Sequence, residues 1–474
     1  MRKENVLKMK KSDQVFKIAT LFSGAGGLDS GFAKTGRFQS EMGNDILQSP
    51  AETYSKNHSV KIQSVANFNE DPQLPCYIVG DVTDVNFTPL NKIDCVIGGP
   101  PCQDFSQARG SRENLGIAKT RGNLYSHFVR ALTRAEPKVF VFENVPGLVS
   151  SNGGAAYETI QDDFQNLNAR WSEIKHDIKK GPEDAKNYFL IFNDIVNSSD
   201  IGVAQKRKRL IIVGVRKDLL RPSDENQFMQ KAKEILKGEK SLLSKYPITA
   251  MEVFEGKTVP ELAKKYSELM EEYRGVEQEV KTDEALKWKS NVWDKLTFDA
   301  VEDYILSNDI TPKDDDEIEV AFEEHKHVLE ELGYYGKPLN GAKFDDDSNL
   351  IPKESDSVMD RMRHIPPNMN HLFVSGTKWN VKGTMSNIYR RSHPLKSGYT
   401  VMAYGGGGTW SYHYEKERSM LTNRERARLQ TFPDDYMFEG NRSQVRAQIG
   451  EAVPVRPGTK LAEVTEFVLE SIKN

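Results

Sequence analysis

Two periods alternate along the first half of the chain. Short apolar runs predict strands near residues 17–22, 40–45, 76–80, 92–98, 138–142, 188–196 and 209–215, with helix-spaced stretches between them. Strands and helices in alternation over 16–216 predict a parallel α/β sheet. The residues just past each run are less ordinary than the runs themselves. Gly24-Ala25-Gly26-Gly27 comes after the first, Asp45 closes the second and Asp81 succeeds the third. Cys102 lies just beyond the fourth, and Glu143-Asn144 comes after the fifth. Ligands of open α/β sheets bind outside the carboxyl ends of the strands, so these side chains are expected along one edge.

After residue 217 the pattern changes. Residues 217–345 are rich in Lys and Glu, with helical spacing over 259–273 and 317–332. Acidic runs at Asp314-Asp315-Asp316-Glu317 and Asp345-Asp346-Asp347 read as solvated helix faces. Residues 346–400 are irregular and polar. Helical spacing resumes from Arg418 to Arg428, Phe432-Pro433-Asp434 breaks it, and a final amphipathic helix is predicted over 459–473. The Gly405-Gly406-Gly407-Gly408 tract reads as a flexible loop.

Composition narrows the class. A chain of 474 residues buries a large core and divides into more than one domain. No apolar run approaches the roughly 20 residues a membrane helix needs. The basic start (Arg2, Lys3, Lys8, Lys10, Lys11) lacks the apolar core of a secretory signal. Three cysteines argue for a reducing, cytosolic compartment, and no Cys/His spacing suggests a metal. The net charge of −4 conceals segregation, with base gathered at 206–209, 390–391 and 424–428. Local patches rather than totals bind phosphate.

Cys102 carries the sharpest chemical signal. It sits in Gly98-Gly99-Pro100-Pro101-Cys102-Gln103-Asp104-Phe105-Ser106, where glycines turn the backbone and prolines stiffen it just before the thiol. A rigid corner aiming sulfur into a polar turn fits a nucleophile better than a packed cysteine, the reading that suits Cys76 and Cys95. The first loop fits a cofactor at a helix N-terminus. Asp29 stands where a dinucleotide fingerprint has glycine, and a pyrophosphate beside a carboxylate is disfavoured. A nucleoside with a cationic or zwitterionic tail suits the loop better, with Asp45 on ribose hydroxyls and Asp81 on an adenine amino group. A thiolate beside a carboxylic acid suits addition to C6 of cytosine while the acid serves N3, which makes C5 nucleophilic toward a sulfonium methyl group. Nearby arginines favour the thiolate, and burial keeps the acid protonated.

These residues resemble the DNA cytosine-C5 methyltransferases over 17–216 and 385–474. The resemblance rests on Phe22-Ser23-Gly24-Ala25-Gly26-Gly27-Leu28, Gly80-Asp81-Val82, Gly99-Pro100-Pro101-Cys102-Gln103, Arg121-Gly122-Asn123-Leu124 and Glu143-Asn144-Val145. It continues in Gln205-Lys206-Arg207-Lys208-Arg209, in 424–434 and in Gln448-Ile449-Gly450-Glu451-Ala452-Val453-Pro454. It implies a Rossmann-like S-adenosylmethionine-dependent sheet with a second, smaller target-recognition domain. Cys102 is then the covalent nucleophile, Glu143 acts at N3, Arg209 holds the cytosine O2, and Arg207 supports the site or a phosphate. Phe22, Gly24, Gly26, Asp45, Ile46, Asp81, Pro100 and Leu124 line the S-adenosylmethionine pocket. Glu451 joins them as a departure, because the family most often has Asn there.

The implied division is a basic extension (1–16), a catalytic domain (17–216), a recognition domain with an acidic helical insertion (217–400) and C-terminal motifs (401–474) whose last helix returns to the catalytic domain. Base reading is expected mainly in 346–400, where amides, hydroxyls and arginines gather. The implied enzyme methylates a flipped-out cytosine in double-stranded DNA. It is expected as a monomer in a bacterial cytoplasm, held near the nucleoid through DNA and paired with a restriction endonuclease. An RNA (tRNA) cytosine-C5 methyltransferase and a catalytically inactive DNA-binding relative are the alternatives. The long distinct insert favours duplex DNA, and intact Cys102, Glu143 and Arg209 favour a live enzyme.

Overall fold

The computed structural model describes residues 14–90, 92–101, 123–178, 181–381, 388–405 and 410–472. Cys102 therefore lies outside the described residues, as do most of the N-terminal extension and of the glycine tract.

Eight strands form one sheet: β1 (Phe16–Leu21), β2 (Phe38–Asp45), β3 (Lys61–Ser64), β4 (Cys76–Val79), β5 (Cys95–Gly98), β6 (Val139–Asn144), β7 (Tyr188–Asn197) and β8 (Lys208–Arg216). Their order is β3-β4-β2-β1-β5-β6-β8-β7. The sheet is Rossmann-like. From β1 the chain fills one side with β2 and β4 and the other with β5 and β6. The switch point thus falls between β1 and β5, the place where sheets of this kind bind ligands at the carboxyl edge. Two features depart from the sequence reading. β8 runs antiparallel to both β6 and β7, a direction that residue patterns do not encode. β3 is an additional edge strand, and its Lys-Ile-Gln-Ser sequence buries no side chain completely and so carries no apolar signal.

Period-two alternation fills both faces of the sheet. Phe140 and Phe142 of β6 join Leu21, Val96, Phe128 and Phe164 on one side. Val139 and Val141 join Ile18, Ile97, Val213 and Leu461 on the other. The last helix, Val455–Ser471, returns to the catalytic sheet and crosses the helix Gly27–Lys34 at Gly31 and Gly458. A Cβ on Gly31 would stand 2.4 Å from the Val455 carbonyl oxygen, so only glycine permits the approach. This helix starts before residue 459 because Pro457 lies in its first turn, where a missing N–H costs nothing.

The helix before the Phe432-Pro433 break is also shorter than its apolar spacing suggests. It runs Asn423–Leu429, and Thr422 and Glu425 close a reciprocal capping box at its start.

The charged middle of the chain is well packed. Tyr246, Met251, Phe254, Leu269 and Leu329 share one core with Leu395, Leu429, Phe432 and Ile449. Its acidic runs do more than face water. Asp314 caps the helix Asp315–Leu332, whose acidic first turn complements the helix dipole. Glu317 takes Lys245 at 2.6 Å, and Asp346 takes the buried Arg424 at 2.8 Å. Among the described residues no helix is long and apolar enough to cross a membrane.

Candidate active site

The loop after β1 is fixed from several directions. Phe22, Gly24 and Gly26 all take positive φ (58°, 51° and 82°). Ser23 Oγ donates to the Thr20 carbonyl and accepts from the Asn44 N–H, both at 3.0 Å. Gly24 N–H donates to Asp45 Oδ2 at 3.0 Å, tying the β1 loop to the end of β2. Tyr77 Oη donates to the Gly24 carbonyl at 2.9 Å, and Tyr436 Oη donates to that of Ala25. Burial raises the Asp45 carboxyl pKa above its ordinary value, and backbone N–H donors of Leu47, Gly24 and Ile46 oppose that rise. Ile46 beside it is 63 % exposed, an apolar surface left open at the strand end.

Asp29 corrects the charge argument drawn from the sequence. It is 1 % exposed and points under the loop, accepting hydrogen bonds from Thr20 (2.5 Å), Tyr54 (2.8 Å) and Ser40 (3.3 Å). It fixes the β1 turn from below and does not face a ligand. The charge at the crevice comes instead from Asp45, Asp81 and Glu451. Asp81 is exposed, and its Oδ1 caps the turn Val82–Asp84 through the Thr83 N–H at 2.9 Å. Arg130 braces that turn, donating to the Val82 and Val85 carbonyls at 2.8 Å each. Glu451 ends the helix Arg442–Glu451 and accepts a hydrogen bond from Tyr404. Burial, and then the neighbouring Asp45, raise the Glu451 carboxyl. The bond to Glu451 pushes the Tyr404 hydroxyl up to about 12. A cavity of about 550 Å³ opens beside this pair, walled by Leu47, Ser49, Arg446 and Gln448 among others.

The residues expected to carry the chemistry gather at the ends of β5 and β6. A Cβ on Gly99 would stand 2.6 Å from Glu143 Oε2, so glycine makes room for the carboxylate to lie across the strand end. Asn144 Nδ2 donates to the Pro100 carbonyl at 2.9 Å, fixing the chain two residues before Cys102. Leu124, half-buried, sits in the first turn of the helix Asn123–Ala135. Arg209 Nε lies 2.9 Å from Glu143 Oε1. The antiparallel pairing of β8 with β6 sets Ile211 opposite Glu143 and leaves Arg209 to reach back to it. The structure thus brings Glu143, Arg209, Gly99 and Pro100 together, with Phe22, Gly24, Gly26, Asp45, Ile46 and Asp81 at neighbouring strand ends.

A model of the C-5 cytosine-specific DNA methylases matches residues 16–466. The chain belongs to that family. It is 47 % identical over 466 residues to the DNA (cytosine-5-)-methyltransferase M.ApeKI of Aeropyrum pernix, covering 96 % of this chain and 99 % of that one. It is 31 % identical to the Type II methyltransferase M.BbvI of Brevibacillus brevis, with 96 % and 91 % covered. It is 29 % identical to M.NgoFVII of Neisseria gonorrhoeae, with 98 % and 90 % covered. The relatives are archaeal as well as bacterial, so the match does not single out a bacterial source.

Within this DNA cytosine-C5 methyltransferase, several arginines that look like phosphate contacts in the sequence turn inward. Arg207 is 4 % exposed and donates to the carbonyls of Val401, Gly450 and Ala452 at 3.1–3.4 Å. Burial lowers its pKa to about 9. It positions the C-terminal motif against the catalytic sheet and has no exposed fork for a phosphate. Arg391 donates to carbonyls of Met362, Ile365, His413 and Glu415, and Arg428 pairs with Asp434 at 2.6 Å. Lys206 and Lys208 stay exposed.

Sequence reasoning missed two positioning amides and Tyr404. Gln205 donates to the Leu429 carbonyl at 3.0 Å and accepts from the Val401 N–H at 2.7 Å. Gln430 donates to the Ile449 and Ala452 carbonyls at 2.6 and 3.0 Å. Both amides lie inside recognised motifs, and that was the available signal. Tyr404 lies outside all of those motifs.

Proposed function

We propose that the enzyme transfers a methyl group from S-adenosylmethionine to C5 of a cytosine turned out of a specific duplex sequence, through a covalent bond between Cys102 and C6. The observation that carries the reading is the Glu143–Arg209 pair beside Gly99 and Pro100, the latter fixed by Asn144. N3 and O2 of cytosine both adjoin C2 and both accept, so a carboxyl group carrying a proton and a guanidinium side by side offer a donor to each.

The crevice suits the cofactor. Asp45, Asp81 and Glu451 offer carboxylates to hydroxyl, amino and ammonium groups, whereas a polyphosphate would meet three like charges. Gly24, with open space where its Cβ would stand, lets the backbone approach a ligand. When bound, S-adenosylmethionine supplies an electrophilic methyl group on a sulfonium. The chain does the rest. Cys102 thiolate adds to C6 as Glu143, with a proton on the oxygen facing N3, donates a hydrogen bond there and Arg209 holds O2, and the ring electrons make C5 nucleophilic. After C5 is methylated its proton leaves to a base, and re-forming the C5–C6 double bond expels the thiolate.

Recognition is assigned to residues 346–400, within the proposed 217–400 domain. Cationic and aromatic side chains are stacked there: Arg361 lies 4.8 Å from the Tyr389 ring centre and Lys378 lies 4.6 Å from that of Trp379. The Type II relatives support a restriction–modification role with a paired endonuclease. A monomer in the cytoplasm, associated with the nucleoid through DNA, fits that role.

The test is a duplex carrying 5-fluorocytosine. Without a proton at C5 the adduct cannot resolve, so the wild-type chain should be trapped covalently and Cys102→Ser should not. Cys102→Ser should retain S-adenosylmethionine binding and fall below a few per cent of wild-type turnover, an order-of-magnitude threshold. Trapping by the serine variant would remove Cys102 from the nucleophile's role.

A further inference from the structure

Arg390 and Arg391 form a two-residue strand paired with Ser411-Tyr412. Successive strand side chains point to opposite faces, and these two guanidiniums meet opposite fates. Arg391 is fully buried on backbone carbonyls. Arg390 lies over the Tyr399 ring, its guanidinium carbon 3.4 Å from the ring centre. No side-chain hydrogen bond or ion pair holds it among the described residues, and its Nε is buried without a partner. In that it differs from Arg209, Arg424, Arg428 and Arg456, each of which has a carboxylate.

The platform under Arg390 is rigid and well placed. Tyr399 Oη donates to Asn368 Oδ1 at 3.1 Å. On one side of Tyr399, the Gly398 N–H donates to the Ala204 carbonyl at 2.9 Å and the residue bridges Gln205. On the other, Thr400 Oγ1 donates to the Lys206 carbonyl at 2.6 Å. The ring is therefore bolted to the segment that leads, three residues on from Lys206, to Arg209 and the reacting edge. A half-buried cationic fork without a counter-charge is costly unless a ligand completes it. A phosphate is satisfied by a flexible point charge, whereas a stacked guanidinium has its plane fixed in advance, which suits the two in-plane acceptors of a base edge.

Resting on the duplex-DNA reading of the function, we propose that Arg390 reads a guanine of the recognition sequence, donating to O6 and N7, with Tyr399 as its platform. The test uses the full chain and a duplex library randomised around the wild-type site, with modified cytosines mapped by bisulfite sequencing. Arg390→Lys keeps the charge and stem but loses the planar fork. It should relax one guanine position by roughly 5- to 150-fold and leave the other positions and S-adenosylmethionine affinity unchanged. Tyr399→Leu should relax the same position less. In Arg390→Gln, which removes the charge, a uniform loss over all sequences, with the salt dependence of binding falling by about one ion, would make Arg390 a phosphate contact and overturn the proposal. So would unaltered specificity, or unfolding of the lysine variant. A wild-type chain that modifies no duplex at all would instead sink the underlying functional reading.

Discussion

Arg209 Nε stands 2.9 Å from Glu143 Oε1 across the β6–β8 pair, so the two groups assigned to the neighbouring O2 and N3 of cytosine are held side by side by the fold itself. The pair is largely shielded, with side-chain exposures of 20 % and 11 %. In such a place a hydrogen-bonded charge pair holds its geometry better than it would on an open surface.

Removing either partner should therefore disable the other. Arg209→Ala should lower the single-turnover rate at least tenfold, an order-of-magnitude expectation from loss of a charge-assisted contact. S-adenosylmethionine affinity should be unchanged, since Arg209 lies on β8, three strands from the β1 loop. The double variant with Glu143→Gln should lose less than the two single losses combined. Rapid-quench methyl transfer measures this, and strictly additive losses would show that the two groups act independently.

Gly99 should be intolerant of even one methyl group. A Cβ there would come within 2.6 Å of Glu143 Oε2, so the carboxylate must move or the strand end must shift. Gly99→Ala should lose most of its single-turnover rate and about 1–3 kcal/mol of stability, typical of overpacking. Near-normal turnover would mean that Glu143 has room to spare.

Cofactor affinity should depend on pH through two neighbouring carboxyls. Burial raises both Asp45 and Glu451, so acidification neutralises them sooner than free carboxylates. Binding of the sulfonium cofactor should weaken as pH falls through those raised values, and binding of its neutral thioether product should weaken less. Glu451→Gln should lower the preference for the cation, and Tyr404→Phe should move the inflection upward by removing a bond that favours the carboxylate. Calorimetric titration of both ligands is the check. An unchanged preference in Glu451→Gln would place that side chain outside the cofactor's field.

Two buried histidines should make the fold acid-sensitive. His393 Nδ1 accepts the Leu395 N–H and His413 Nδ1 accepts the Glu415 N–H, both at 3.1 Å, and neither ring can do so once protonated there. Burial depresses both, His393 to about 3 and His413 well below its ordinary value. The unfolded chain binds these protons near pH 6.5 and the folded chain does not. The stability is therefore present above pH 6.5 and is lost as pH falls toward the folded values, by about 1.4 kcal/mol per pH unit for each group. Urea unfolding at pH 7.5 and 5.5 should show the loss. His393→Asn, which keeps an acceptor but does not titrate, should reduce its slope.

Much of the site was legible because strand ends leave local marks. An apolar run followed by glycines, by Asp45, or by Glu143-Asn144 places a side chain at the carboxyl edge whatever the rest of the chain does. Asp29 misled because a carboxylate next to a glycine loop reads as facing the ligand. Whether it points up or down depends on Thr20, Ser40 and Tyr54, which come from the strands β1 and β2 and the helix Gln48–His58.

Charge was the least legible property. Arg391, Arg424 and Arg428 look in the sequence like a phosphate-binding surface, yet each finds carbonyls or a carboxylate inside the fold. Arg390 differs from Arg391 only in facing the other side of a two-residue strand. Residue order alone sets the parallel core of the sheet, the loops along one edge and the residue types able to do the chemistry, because apolar period and turn chemistry act over a few residues. The antiparallel insertion of β8, the meeting of Glu143 with Arg209, and the choice of which arginines face the solvent arise only once the chain is folded. They depend on segments tens to hundreds of residues apart, and on a burial cost that no local pattern records.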